Sequence, residues 1–318
     1  MNVFGSQHGS SHGSSHGSSH GSSHGSSHGS SHGSSYHNLG PGGGTWFPSS
    51  IPIIPLTPLQ MVDVGPFRDS DVDPSLWATA HLPTIFEKLD VNDGLLDDAV
   101  GDWRMEYDTD AGKPTDTPIT DFSEEIKDLF ELRTNELFDD YLPEIGDQAG
   151  SFSHYFYHIL NINPRSQPNC ARLIALCMQL AGTVGLRYKL LYMRPRPSQI
   201  CPALVPIIPV PAHPAYPSNH ATQSALTTEM LKAVLRHDQN SGLCLTLETL
   251  GDRIAENRER AGLHYKSDSD AGKRLGRALA KKLEAALCDR DSVLNKAREE
   301  LAHYKNGDGQ IDFSTEAP

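Results

Sequence analysis

The stretch from Cys170 to Tyr192, CARLIALCMQLAGTVGLRYKLLY, is apolar along most of its length and contains no proline. A run this long without polar alternation reads as a buried helix, and it must be covered on several sides at once. It therefore sets the centre of the fold, with Lys189 carried near its C-terminal end. A proline-rich loop from Pro195 to Pro217 then breaks all regularity. It delivers Ser218 to the start of another helix, Ala221 to Arg236. Further helices are expected over Phe122–Asp139, over Leu245–Leu263 and from Ser267 to about Leu287, with Ser267, Asp268 and Ser269 as cap. No alternating strand pattern competes. The expectation is all-α: a helical bundle with its active site at facing helix ends and loops.

The chain has 318 residues, not all of which can join that core. Residues 1–45 are a His/Gly/Ser-rich tract with histidines every fourth residue from His8 to His32, expected to be disordered. It reads as a low-complexity tail or an appended tag, with weak Ni²⁺, Zn²⁺ or Cu²⁺ binding as a side property. Residues 46–120 are expected to hold an extended proline-rich arm followed by the first helices. Residues 121–290 form the catalytic helical domain and residues 291–318 a polar C-terminal tail. The net charge of −13 disfavours nucleic acid and anionic membranes as partners. No uninterrupted apolar run reaches bilayer length, so no membrane insertion is expected. The five cysteines have no CxxC spacing and no secretory signal is visible, which together suggest a cytoplasmic protein. The oligomeric state is not readable.

Three segments carry the chemistry. They are Lys189-x6-Arg196-Pro197, Pro217-Ser218-Asn219-His220, and Arg258-x5-His264-x3-Asp268. Lys189, Arg196 and Arg258 supply the fixed positive charge and directed donors that a tetrahedral oxyanion needs. Ser218 and the backbone N–H groups beside it, Asn219 included, add neutral donors where a turn opens a helix. Two imidazoles can divide the reactive work, one neutral to attack or coordinate the central atom, the other protonated to release a leaving group. Asp268, four residues after His264, is placed to accept its second N–H and fix its tautomer.

These segments resemble the signatures of the superfamily that joins phosphatidic acid phosphatase type 2, class A bacterial acid phosphatases and vanadium-dependent haloperoxidases. The family pattern is Lys-x6-Arg-Pro, Pro-Ser-Gly-His and Ser-Arg-x5-His-x3-Asp, and the likeness covers roughly residues 150 to 285. The resemblance implies that Lys189, Arg196, Ser218, Asn219 and Arg258 hold the anion. It makes His264 the nucleophile of a phosphatase or the vanadium ligand of a peroxidase, and His220 the general acid. Asn219 stands where the family has Gly and Asn257 where it has Ser. Asn tolerates left-handed backbone angles, which would preserve the turn. In the run Arg194-Pro195-Arg196-Pro197 only Arg196 has the family spacing from Lys189, which leaves Arg194 behind the site or at its entrance.

By this reading the protein is a phosphoric monoester hydrolase of the soluble branch. It needs no cofactor and forms a phosphohistidine on a small phosphoester. The alternative is a haloperoxidase that carries vanadate and takes halide plus peroxide. His213, five residues before Ser218, is the hint toward that alternative, because a His there resembles the bromide-oxidising relatives. A non-catalytic phosphate-binding relative is the second alternative.

Overall fold

The apolar run forms one helix, α6 (Pro168–Tyr192), whose Leu173, Ile174, Leu176, Cys177, Leu180 and Ala181 are buried. In the computed structural model, which describes residues 71–89, 94–119, 121–236 and 242–302, α6 packs chiefly against α1 (Pro74–Lys88), α8 (Asn219–Leu235) and α11 (Val293–Glu300). The Pro168–Ile200 stretch is long and apolar enough by composition to cross a membrane, but 67% of its most apolar window is buried inside the protein, as in the core helix of the bundle. The His-rich tract, the proline-rich arm before residue 71 and residues 303–318 lie outside the described residues.

The expected polar tail at 291–318 instead opens with the docked helix α11. Val293, Leu294, Ala297 and Leu301 fall on one helical face and are buried, which suffices to seat an otherwise polar segment. The same helix stabilises the start of α6. Glu300 accepts from the backbone N–H groups of Asn169 at 3.0 Å and Cys170 at 2.9 Å, placing a carboxylate on two orphan donors of the helix N-terminus.

α10 (Lys266–Ala286) lies against α8 at very close range because Gly272 and Gly276 face it. A Cβ on Gly272 would stand 2.5 Å from the Ser218 carbonyl oxygen, and one on Gly276 would stand 2.6 Å from that of Thr222. Only glycine permits this approach, and it sets the first turn of α10 beside the first turn of α8. The Ser218 N–H donates to the Asp268 carbonyl at 2.9 Å across that junction.

The remaining elements are α2 (Leu95–Val100), a hairpin of β1 (Met105–Asp108) and β2 (Lys113–Pro118), α3 (Ser123–Thr134), α4 (Phe138–Gly150), α5 (Ser153–Ile159), α7 (Pro197–Ile200) and α9 (Gly242–Arg260). The fold is all-α apart from this two-stranded antiparallel hairpin, which the sequence reading did not expect. Its strands are short and none of their residues is fully buried, so the brief alternation of β1 is too weak a mark to find it by. The helix expected over 122–139 is divided into α3 and α4. Asn135 takes an extended conformation, and its side-chain carbonyl accepts from the Leu137 N–H at 2.9 Å, offering the backbone a turn in place of the next helical bond. Ser267, Asp268 and Ser269 lie within the first turns of α10, after the cap residue Tyr265, and of the three Asp268 takes part in the cap, its Oδ2 accepting from the Tyr265 N–H at 3.1 Å.

Candidate active site

α6 ends where Met193 adopts a left-handed conformation, φ 48°, and the proline after Arg194 prevents the helix from resuming. The chain that follows is held in place by the Ala215 N–H, which donates to the Arg194 carbonyl at 2.9 Å. Arg194 and Arg196 are thereby both turned inward and each is 2% exposed. α9 carries Arg258 in its last turn, and Gly262, φ 73°, makes the reversal toward α10, with His264 in the junction before the cap residue Tyr265 and Asp268 in the first turn of α10. The three sequence segments thus converge from the end of α6, the start of α8 and the α9–α10 junction.

His264 lies at the centre and is buried. Its Nδ1–H donates to Asp268 Oδ2 at 3.1 Å, and its Nε2 accepts from an Arg196 N–H at 3.0 Å. Because a guanidinium can only donate, Nε2 must bear the lone pair and Nδ1 the proton. Burial, followed by the positive charges of Arg196 and Lys189, holds the His264 pKa well below the ordinary imidazole value. The ring is neutral at physiological pH, with its basic nitrogen facing the cations.

Asp268 is held from the other side as well. Its Oδ1 accepts from Arg194 at 2.7 Å and its Oδ2 also accepts from the Tyr265 N–H at 3.1 Å. Arg194 reaches Glu125 of α3 at 2.6 Å and the Ser267 hydroxyl at 2.6 Å, and its guanidinium lies 3.9 Å above the Tyr265 ring and 5.1 Å from that of Trp103. Burial alone would lower its pKa, but the charges of Asp268 and Glu125 outweigh burial and hold the guanidinium above its ordinary value. Arg194 is therefore neither an anion ligand nor an entrance charge; it is an internal counterion behind Asp268.

The three candidate anion ligands differ sharply from it. Lys189 donates to the carbonyls of Pro214 at 3.0 Å and Ala215 at 2.7 Å. Arg196 donates to the carbonyls of Leu263 at 2.7 Å and His213 at 3.1 Å, besides two imidazoles. Arg258 donates to the Ile145 carbonyl at 2.8 Å, and its Nε is buried with no partner among the described residues. Among the described residues no carboxylate forms an ion pair with any of the three. Burial lowers Arg196 and Arg258 each to about 10, and burial together with nearby Arg196 puts Lys189 well below its usual value. Three buried positive charges and an unsatisfied donor around a neutral imidazole fit a bound oxyanion such as phosphate or vanadate.

The neighbours of Ser218 complete the geometry. Ser218 is buried and caps α8, its Oγ accepting from the Ala221 N–H at 3.4 Å while its own hydrogen can still be donated. Asn219 is the first residue of α8 and has no left-handed backbone angle, so the expected strained turn is absent. Its side chain points away toward α6, donating to the Gly182 carbonyl at 3.3 Å. A Cβ on Gly185 would fall 2.1 Å from the Asn219 side-chain oxygen, so the side chain fits only because α6 has glycine there. His220, the second residue of α8, donates from Nε2 to the Gln148 carbonyl, 3.1 Å away, at the C-terminal end of α4. Asn257 donates to the Gln148 side chain at 3.0 Å and accepts from Arg260 at 3.0 Å, tying α9 to α4. His213 accepts at Nδ1 from Arg196 at 3.0 Å and is half-buried.

Lys189, Arg196, His213, His264 and Asp268 are linked through these contacts, and Ser218 joins them through the Asp268 backbone. The sequence reading missed Glu125, Gln148 and the loop carbonyls at 213–215, none of which lies in a recognisable motif. The described residues contain no cluster of three or more metal-ligating side chains, and the metal-binding reading of the His-rich tail falls outside them. Compared with known proteins, the chain matches no family model and no curated protein.

Proposed function

We propose that the protein is a phosphoric monoester hydrolase that works through a phosphohistidine on His264. The observation that carries this reading is the set of three buried cations without carboxylate partners, arranged about a neutral imidazole whose tautomer Asp268 fixes. A bound phosphoester takes over the N–H groups of Lys189, Arg196 and Arg258 and accepts from the Ser218 hydroxyl, and Arg196 releases His264 Nε2 as it turns to the anion. The Nε2 lone pair then forms the N–P bond while the P–O bond to the leaving group breaks. His220 gives its proton to the departing alkoxide. Water next attacks phosphorus and yields a proton to His220, and the N–P bond breaks to return the pair to Nε2. Asp268 stabilises the positive charge that His264 develops in between. The substrate is a small phosphoester, and a protein this acidic overall would present the site as a local positive focus.

A second reading is favoured by His213 on Arg196. The same residues suit vanadate, held by Lys189, Arg196, Ser218 and Arg258 with His264 as the ligand to the metal, and vanadate so held supplies peroxide-dependent halide oxidation. Assays with a generic phosphomonoester, and with peroxide plus bromide or iodide after incubation in vanadate, separate the readings. Vanadate-inhibited hydrolysis without halide oxidation supports the hydrolase, and halide oxidation without hydrolysis overturns it. Phosphate binding that Arg196→Ala removes, with neither activity, leaves the non-catalytic relative.

A further inference from the structure

We infer that Glu125 of α3 is a positioning residue for the His264–Asp268 pair, acting through Arg194. This rests on the proposed role of His264. Arg194 bridges Glu125 and Asp268, held at 2.6 Å by the one carboxylate and at 2.7 Å by the other. Glu125 has a second grip on the same turn, because its Oε1 accepts from the Ser267 N–H at 3.1 Å and from the Ser267 hydroxyl. The first turn of α3 is thereby fastened to the first turn of α10, one residue before Asp268.

Charge balance gives the arrangement its purpose. Besides the Tyr265 N–H, Asp268 faces two side chains that carry charge, the permanent cation Arg194 and the His264 ring, which is positive only during turnover. If Arg194 had Asp268 alone, its charge would consume that of the carboxylate and leave little for the imidazole. Glu125 supplies a second negative charge to the guanidinium, so the group of Glu125, Arg194 and Asp268 keeps a net charge of about −1 directed at Nδ1 of His264. Trp103, Phe122 and Tyr265 line the guanidinium and keep solvent from screening the group. The far end of α3 is anchored independently: Arg133 donates to the carbonyls of Val205 at 2.6 Å and Ala261 at 3.0 Å. Loss of the Glu125 charge alone thus leaves α3 seated.

The test uses the full chain with Glu125→Gln, Glu125→Asp and Arg194→Lys. Turnover is read with a generic phosphomonoester, anion affinity with orthovanadate by calorimetry, and the His264 ring by ¹⁵N imidazole NMR. Glu125→Gln is expected to lower kcat about tenfold or more, the size usual for residues that orient a ligand or base, with KM and vanadate affinity changed less than about threefold. Its His264 Nδ1 resonance should move toward that of a ring with a weakened Nδ1–H bond, and Glu125→Asp should recover part of both effects. An unchanged kcat and an unchanged His264 spectrum in Glu125→Gln overturn the inference. Equal losses in kcat and vanadate affinity, with the His264 resonances in place, also overturn it, because they describe a merely structural residue. If the wild type binds vanadate but turns over neither phosphoester nor halide, the proposed function fails, and the His264 resonances of Glu125→Gln still decide the positioning role.

Discussion

Arg194 and Arg196 stand two residues apart and are equally buried, yet they live in opposite electrical surroundings. Arg194 has two carboxylates, a hydroxyl and an aromatic enclosure. Arg196 has backbone carbonyls and two imidazoles, and its neighbours Lys189 and Arg258 have carbonyls alone. A guanidinium paired with carboxylates has its charge met inside the protein. One that meets only carbonyl dipoles keeps its charge available for something else. His264 sits on the boundary, with Nδ1 turned to the compensated side and Nε2 to the uncompensated one. The division assigns roles that side-chain type alone could not.

The most severe way to break the comparison is to remove the boundary. His264→Ala should reduce turnover by about 10⁴-fold or more, measured as kcat, and leave vanadate affinity reduced far less. The next effect is on stability. Arg194→Met strands Asp268 and Glu125 without their cation and should cost about 3–5 kcal/mol in urea unfolding, the amount expected when one partner of a buried pair is lost. Arg196→Met should behave in the opposite sense. Without anion its stability should stay within about 1 kcal/mol of wild type, because relief of like-charge repulsion offsets the lost carbonyl bonds. Its affinity for phosphate should fall about 10- to 100-fold by calorimetry, the size of one charge-assisted contact. Comparable destabilisation in the two arginine variants would remove the distinction between the two sides.

The smallest effect lies beside the site. Glu259, next to Arg258 on α9, is buried, and burial raises its carboxyl to about 7. A carboxyl whose pKa is raised on folding favours the folded state fully below its unfolded value, near 4.5, and loses that contribution as pH rises through 7. Glu259→Gln should therefore match wild-type stability at pH 5 and exceed it by about 1–3 kcal/mol at pH 8, read by unfolding at the two pH values. An equal difference at both would show that the carboxyl does not titrate in this range. It would also weaken the view that this interior is dry enough to leave the three cations unscreened.

The sequence was informative where chemistry is local. The apolar run foretold α6, the prolines foretold its end, and the four-residue spacing of His264 and Asp268 foretold their hydrogen bond. It was silent where the partner is remote. Glu125 reaches Arg194 across 69 positions, and nothing in an acidic first turn distinguishes it from Glu124, which forms an exposed pair with Lys127. Asn219 was misread for a related reason: its fit depends on Gly185 of another helix, so the backbone needed no left-handed angle. α11 was read as a tail because its overall polarity hid a single apolar face.

The central claim is that the uncompensated cations form an oxyanion site, and calorimetric titration of the wild-type protein with phosphate and orthovanadate at pH 7 tests it most directly. Three buried cations without carboxylate partners among the described residues should take one anion per chain, and the bound anion should raise the melting temperature. Absence of binding heat, together with an unchanged melting temperature in millimolar phosphate or vanadate, would contradict the account.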